Sequence, residues 1–229
     1  QAPDLVIHVG DYHYRETACP PGNAGCAGSP YGFSWSSWEP DFFAPGAALL
    51  AAAPWVVVRG DHETCDRAGQ GWWRLLDPRP LAPLQDCNDP ANDGIGDYSE
   101  PYGVPLGDDM MFVVFDSAVV GTKALKSTDP QYRRYAEQFD KAFALGSKRP
   151  NAFFMNHQPI LGFNSDGGPK AQPGNAALQS VLESIVPSVL FPPNVQAVLS
   201  GHVHMMQIVS FSTPQPPIFI PGNGGTSLV

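Results

Sequence analysis

The chain has 229 residues, 43% of them hydrophobic, which is enough for one large domain with a substantial core over 1–229. No stretch approaches the roughly 20 uninterrupted apolar residues of a membrane-spanning helix, so no membrane insertion is expected. Thirteen basic against 22 acidic side chains give a net charge of −9, which argues against a sequence-independent grip on nucleic-acid backbone and leaves room for a small anionic partner held through bound cations.

From the N-terminus, DLVIHV (4–9) is a strand-length apolar run that leads into GDYHYRE. Gln1 stands almost directly before it without a leader pattern, so any leader is expected to have been removed or to lie outside the chain. CPPGNAGC (19–26) reads as a small closed loop within a long one, 17–40. Helical spacing is plausible over 42–53, with Pro54 as its stop, before the run WVVVR (55–59) leads into GDHETC. Residues 66–109 read as a second long loop, and MMFVVFD (110–116) as a strand. The best helical periodicity lies in 130–146, ending at Gly146. AFFMN (152–156) leads into His157, 164–175 reads as loop, and 175–186 as a helix stopped by Pro187. VQAVLS (195–200) leads into GHVH, and MMQIVSFS (205–212) and PIFIP (217–221) are the last strands. The runs are mostly apolar on both faces, as in an α/β fold whose sheet is buried.

Four cysteines pair most simply as Cys19–Cys26 and Cys65–Cys87, one of three possibilities, with four reduced thiols as the alternative. No CxxC spacing points to a zinc cluster. If the bridges form, an oxidising location, periplasmic or secreted, follows.

Polar residues able to bind metals sit where strands end, the edge at which α/β sheets gather ligands. Four strand ends deliver Asp11, Asp61, His157 and the pair His202/His204, and all six histidines (with His8, His13 and His62) lie on or beside these turns. Other residues have two readings. Glu63 either orients His62 or is a turn acid; Arg15 and Arg59 either meet an anion or, for Arg59, form a structural ion pair. Tyr14 is a ligand or a plain loop tyrosine, Trp72 and Trp73 an aromatic wall or core, and Asn223 a ligand contact or part of a glycine turn.

GDYHY (10–14), GDHE (60–63), NHQP (156–159) and GHVH (201–204) resemble, in order, the motifs of the calcineurin-like metallophosphoesterases, with GDYHY closest to the GDxxY of purple acid phosphatases. The resemblance runs from about Val6 to the GNGG segment at 222–225. It implies a layered α/β/β/α sandwich and a two-metal hydrolase of small phosphorylated substrates. Asp11 would bridge the metals; Asp61, His157 and His202 would complete one site, His204 and Tyr14 the other, and His62 would act as general acid or charge stabiliser. Arg15 and Glu63 are carried as substrate-side candidates. Two cations lower the pKa of a bound water toward 7 and clamp the phosphoryl group, and mixed Asp and His ligation favours Fe, Mn or Zn over Ca or Mg. A phosphomonoesterase is preferred; a phosphodiesterase, or a catalytically silent metal-binding module, is the alternative.

Two departures from the family pattern stand out. Asp61 occupies a position where the family carries asparagine, which adds negative charge. No DxG or DxH motif precedes Asp11, before which only ten residues stand: either the chain lacks the family's first strand, the preferred expectation, or its first metal site is incomplete, and the end after GNGGT is expected to be a cut as well.

Overall fold

The computed structural model describes residues 2–163 and 173–222. Its strands are β1 (Val6–His8), β2 (Trp55–Val57), β3 (Tyr102–Leu106), β4 (Met110–Val114), β5 (Asn151–Met155), β6 (Val195–Leu199), β7 (Met206–Val209) and β8 (Ile218–Pro221). Helix α1 (Trp35–Trp38) passes through a π-helical turn at Glu39–Phe43 into α2 (Ala44–Ala52), and α3 (Gly69–Gly71) passes into another at Trp72–Leu76. Then come α4 (Asp93–Gly96), α5 (Pro130–Gly146) and α6 (Ala176–Ile185). Among the described residues no helix is long and apolar enough to cross a membrane.

β1 and β2 pair in parallel as a small sheet. The other strands form a six-stranded sheet in the order β3-β4-β5-β6-β8-β7, parallel from β4 to β8 and closed at each edge by an antiparallel strand. Period-two alternation along the strands sorts their side chains into three cores. Val56, Val58, Phe112, Val114 and Met155 meet between the two sheets. Val57 turns outward to pack with Tyr12, Trp38, Phe42, Trp72 and Trp73 under α1–α3. Met111, Val113, Phe115 and Phe154 turn the other way, against α5 and α6. The helices meet them with one face each: Tyr135, Phe139 and Ala142 on α5, and Leu178, Val181 and Leu182 on α6. The layering is helices, small sheet, large sheet, helices: the expected α/β/β/α sandwich.

The expected strands and the three expected helices all form, with ends shifted by a residue or a few. The segment 66–109 is not the loop its composition indicates, because it contains α3, α4 and β3. Tyr102–Leu106 contains Gly103 and Pro105, residues that weaken a strand pattern, yet it pairs with β4 alone at the sheet edge, where proline is tolerated. The stretch 17–40 likewise contains α1. Of the loop 164–175, positions 164–172 lie outside the described residues, and Asn175 caps α6 by accepting from the Leu178 N–H at 3.0 Å. Cys19–Cys26 and Cys65–Cys87 are both disulfide-bonded.

Candidate metal centre

The carboxyl ends of β1 and β2 in the small sheet and of β5 and β6 in the large one open on the same edge of the sandwich. Three of the turns there begin with a glycine, and each is needed for close approach. A Cβ on Gly10 (φ +102°) would meet His157 Nδ1 at 2.3 Å, one on Gly60 would meet Asp11 N at 2.2 Å, and one on Gly201 would meet Val9 O at 2.6 Å. The residues that follow two of these glycines are held in the left-handed region, Asp11 at φ 61° and His202 at φ 65°. That conformation is uncommon for any residue with a Cβ and is typical of functional sites whose surroundings enforce it.

Asp11, Asp61, His157 and His202 converge so that one potential ligand atom from each lies within 4.8 Å of all the others. His157 Nε2 lies 3.1 Å from Asp11 Oδ1 and 3.0 Å from Asp61 Oδ1, and His202 Nδ1 lies 2.8 Å from the same Asp61 oxygen. The Val9 carbonyl accepts from His157 Nδ1 at 2.7 Å, which fixes the ring and turns Nε2 into the cluster. Burial opposes charge on these groups, but their mutual contacts dominate. His157 is held well above the ordinary imidazole value by Asp11 and Asp61; beside it Asp11 falls to about 2, and Asp61 lies well below the carboxylate range through its bonds to His157 and His202. A cluster of two carboxylates and two imidazoles, with one ring pinned by a backbone carbonyl, is a donor set suited to a borderline transition metal.

Beside it, the Tyr14 hydroxyl donates to Asp11 Oδ2 at 3.0 Å and lies 3.3 Å from His204 Nε2. Burial and the Asp11 carboxylate push the Tyr14 phenol up from its usual value. Asp11 thus faces the four-residue cluster with one oxygen and the Tyr14/His204 pair with the other. His62 packs its ring on Tyr14, centroids 4.1 Å apart, while its backbone N–H donates to Asp11 Oδ1 at 3.3 Å. A cavity of about 590 Å³ opens beside Asp11, Tyr14, His157, His202 and His204, and also onto Asp41 and Phe42.

The remaining candidates lie elsewhere. Glu63, expected on the substrate side, is fully buried beneath the cluster. Its Oε2 accepts the N–H groups of Asp11 and Gly60, both at 3.0 Å, and its Oε1 those of Tyr12 at 2.8 Å and His13 at 3.2 Å. Burial, followed by the Asp11 charge, lifts this carboxyl to about 7. Arg15 points to Asp41, at 3.3 Å, and its backbone N–H donates to the same side chain. Arg59 is buried against Asp116 at 3.5 Å, with its guanidinium over the Trp73 ring, which is the ion-pair reading. Trp72 and Trp73 are core residues, donating to Ser99 Oγ and the Gly96 carbonyl. His8 and His13 are packed among aromatic rings of the helix-facing core. Asn223 and the rest of the GNGG turn beyond Gly222 lie outside the described residues.

Sequence reasoning missed Glu16, Asp41 and Arg67. Arg67 Nη1 lies 3.0 Å from Asp61 Oδ2, its Nη2 is 2.6 Å from Glu16 Oε1, and that oxygen is 2.7 Å from His62 Nδ1. Asp41 Oδ2 accepts the Tyr14 N–H at 2.6 Å. Nothing local marks these side chains, since Glu16 and Asp41 act across 51 and 27 positions.

A sequence model of one family, described as calcineurin-like phosphoesterase, matches residues 1–206. The fold is similar to that of the structure of PhoD (TM-score 0.50, 14% identity, 94% of this chain and 50% of that one), so the chain spans half the length of that relative. A crystal structure of a dimetal phosphatase from Danio rerio matches at TM-score 0.45 and 16% identity, over 76% of this chain and 63% of that one. Comparison with curated proteins finds no match.

Proposed function

The chain belongs to the calcineurin-like phosphoesterase family, and from that premise we propose that it hydrolyses phosphate esters with the help of two metal ions. One would be held by Asp11, Asp61, His157 and His202, the other by Asp11, His204 and Tyr14. The observation that carries this reading is the convergence of four ligand atoms from four strand ends within 4.8 Å. Bound there, the cations would neutralise phosphoryl charge and activate water. Iron, manganese or zinc suits the mixed nitrogen and oxygen donors.

The chain's own residues then have separate tasks. Asp11 divides its two oxygens between the two sites. His157, pinned through Nδ1, presents Nε2 without loss of ring freedom on binding. His62, whose Nδ1 is surrounded by Glu16, Arg67 and the His13 carbonyl, would offer Nε2 to a phosphoryl oxygen or to the departing alkoxide as proton donor. The cavity beside Asp11, Tyr14 and His204 has room for a small phosphorylated substrate. We take a phosphomonoester as the substrate, on the strength of Tyr14 beside Asp11 and His204, and a periplasmic or secreted setting, on the strength of the two disulfides.

Metal analysis of the purified protein should give at least one Fe, Mn or Zn per chain, with chelation abolishing turnover of p-nitrophenyl phosphate. A metal-free, chelator-insensitive protein would sink the reading. Faster turnover of the bis-ester would make it a diesterase. One observation favours a second reading, a metal-binding module without turnover: among the described residues one group of three or more carboxylates and imidazoles converges, whereas beside it stand Asp11, His204 and the phenol of Tyr14. A fully loaded protein that hydrolyses neither ester supports that reading.

A further inference from the structure

Asp61 divides its carboxylate between two environments. Its Oδ1 is the oxygen shared by His157 and His202 at 3.0 and 2.8 Å, inside the cluster, whereas Oδ2 points away and meets Arg67 Nη1 at 3.0 Å. Arg67 is held by all three of its nitrogens. Nη1 also donates to the Asp61 carbonyl at 3.1 Å, Nε donates to Glu16 Oε1 at 2.9 Å, and Nη2 lies 2.6 Å from the same oxygen and 2.7 Å from His62 Nδ1. Glu16 Oε1 in turn stands 2.7 Å from His62 Nδ1. Only 27% of the Arg67 side chain is exposed, so this is not a solvated surface pair of the kind that contributes little.

We infer that Arg67 is a positioning residue that fits the site to anions: it cancels the outward charge of Asp61, which then serves a cation through Oδ1 much as a neutral oxygen ligand does, and it holds Glu16 against His62. The inference rests on the phosphoesterase reading. A phosphate held at the cluster would face the carboxylates of Asp11 and Asp61, with Glu16 beside His62 close by and Asp41, paired with Arg15, on the cavity wall. Arg67 is the cation bonded to Asp61 and Glu16. At partly buried distances of a few ångströms, each uncompensated charge weakens anion binding by about 10- to 100-fold. The same charge strengthens cation binding. Removing Arg67 therefore moves the two affinities in opposite directions, which loss of a mere loop tie does not do.

The test is a cycle of Arg67→Met, Asp61→Asn and the double variant, with Arg67→Lys as a control that keeps the charge and loses the fork. Mn²⁺ is titrated into the metal-stripped proteins, and inorganic phosphate into the loaded ones, alongside KM for p-nitrophenyl phosphate. The expected result for Arg67→Met is phosphate affinity about tenfold weaker or worse with Mn²⁺ affinity undiminished. Asp61→Asn in that background should bring phosphate affinity back to within about threefold of wild type, and Arg67→Lys should stay within about threefold as well. If Arg67→Met loses both affinities together and Asp61→Asn restores neither, Arg67 is a loop tie and the inference is overturned. Should Arg67→Met not fold, a tenfold loss of phosphate affinity in Arg67→Lys overturns the charge argument by itself. Failure of the phosphoesterase reading looks different: loaded wild-type protein then binds Mn²⁺ but neither phosphate nor ester.

Discussion

His8 lies three residues before Asp11, yet its ring points into the aromatic core, stacked on Tyr12 at 4.1 Å, and its Nδ1 is buried without a hydrogen-bond partner. Burial, with the nearby His157 charge, lowers its pKa from 6.5 to about 4. The unfolded chain therefore binds more protons than the folded one below pH ~6.5, so stability held above that pH is lost as pH falls toward 4. His8→Phe should flatten the slope of Tm against pH between 6.5 and 4, measured at one fixed metal state; an unchanged slope would assign acid lability to other groups. Glu63 carries a different kind of burden. Its carboxylate is the shared acceptor for four backbone N–H groups, two of them on Gly60 and Asp11. Glu63→Gln replaces one acceptor oxygen by a donor and strands the N–H groups facing it, at about 1–3 kcal/mol each. Urea denaturation should show that loss, and Mn²⁺ titration should show weaker binding through a displaced Asp11.

At the scale of elements, the glycine turns tie strand geometry to the site. Gly60→Ala would drive a Cβ into Asp11 N at 2.2 Å and Glu63 Oε2 at 2.8 Å, separating the two turns that bring Asp11 and Asp61 together. The expected outcome is a loss of metal affinity of tenfold or more, on the order of 1.4 kcal/mol, alongside an intact far-UV spectrum, because β1 and β2 still pair upstream of the turn. These turns were legible from the sequence because an apolar run followed by a polar, often glycine-led turn is a local fact: β1, β2, β5 and β6 end within one or two residues of where the pattern places them. What escaped is non-local. Glu16 and Arg67 come together across 51 positions, and Asp41 reaches Tyr14 across 27. No spacing rule links such pairs. β3 escaped for another reason: its glycine and proline disguise a strand that tolerates them only because it lies at an edge. Glu63 was legible as part of GDHE, but its direction was not, since the same carboxylate could face the cavity or the backbone.

Across the whole molecule, the helix layer over the small sheet is closed by a covalent bridge. Cys65–Cys87 spans 22 residues and encloses Trp72 and Trp73, 1% and 3% exposed. Replacing both cysteines by serine should cost about 3 kcal/mol by loop-closure entropy, read as a lower denaturation midpoint. The placement of the cluster has a further consequence. Asp11 and Asp61 hang from one sheet, His157 and His202 from the other, so an ion bound there would be a rivet through the seam of the sandwich. Whatever binds only the folded state stabilises it by mass action, about 2.7 kcal/mol at a hundred times its Kd. Stripping the ion should then raise hydrogen exchange at the Asp11–His13 and Gly201–Val203 turns together, although they lie on different sheets. The survival of the folded chain against proteases thereby becomes a readout of how much metal its surroundings supply.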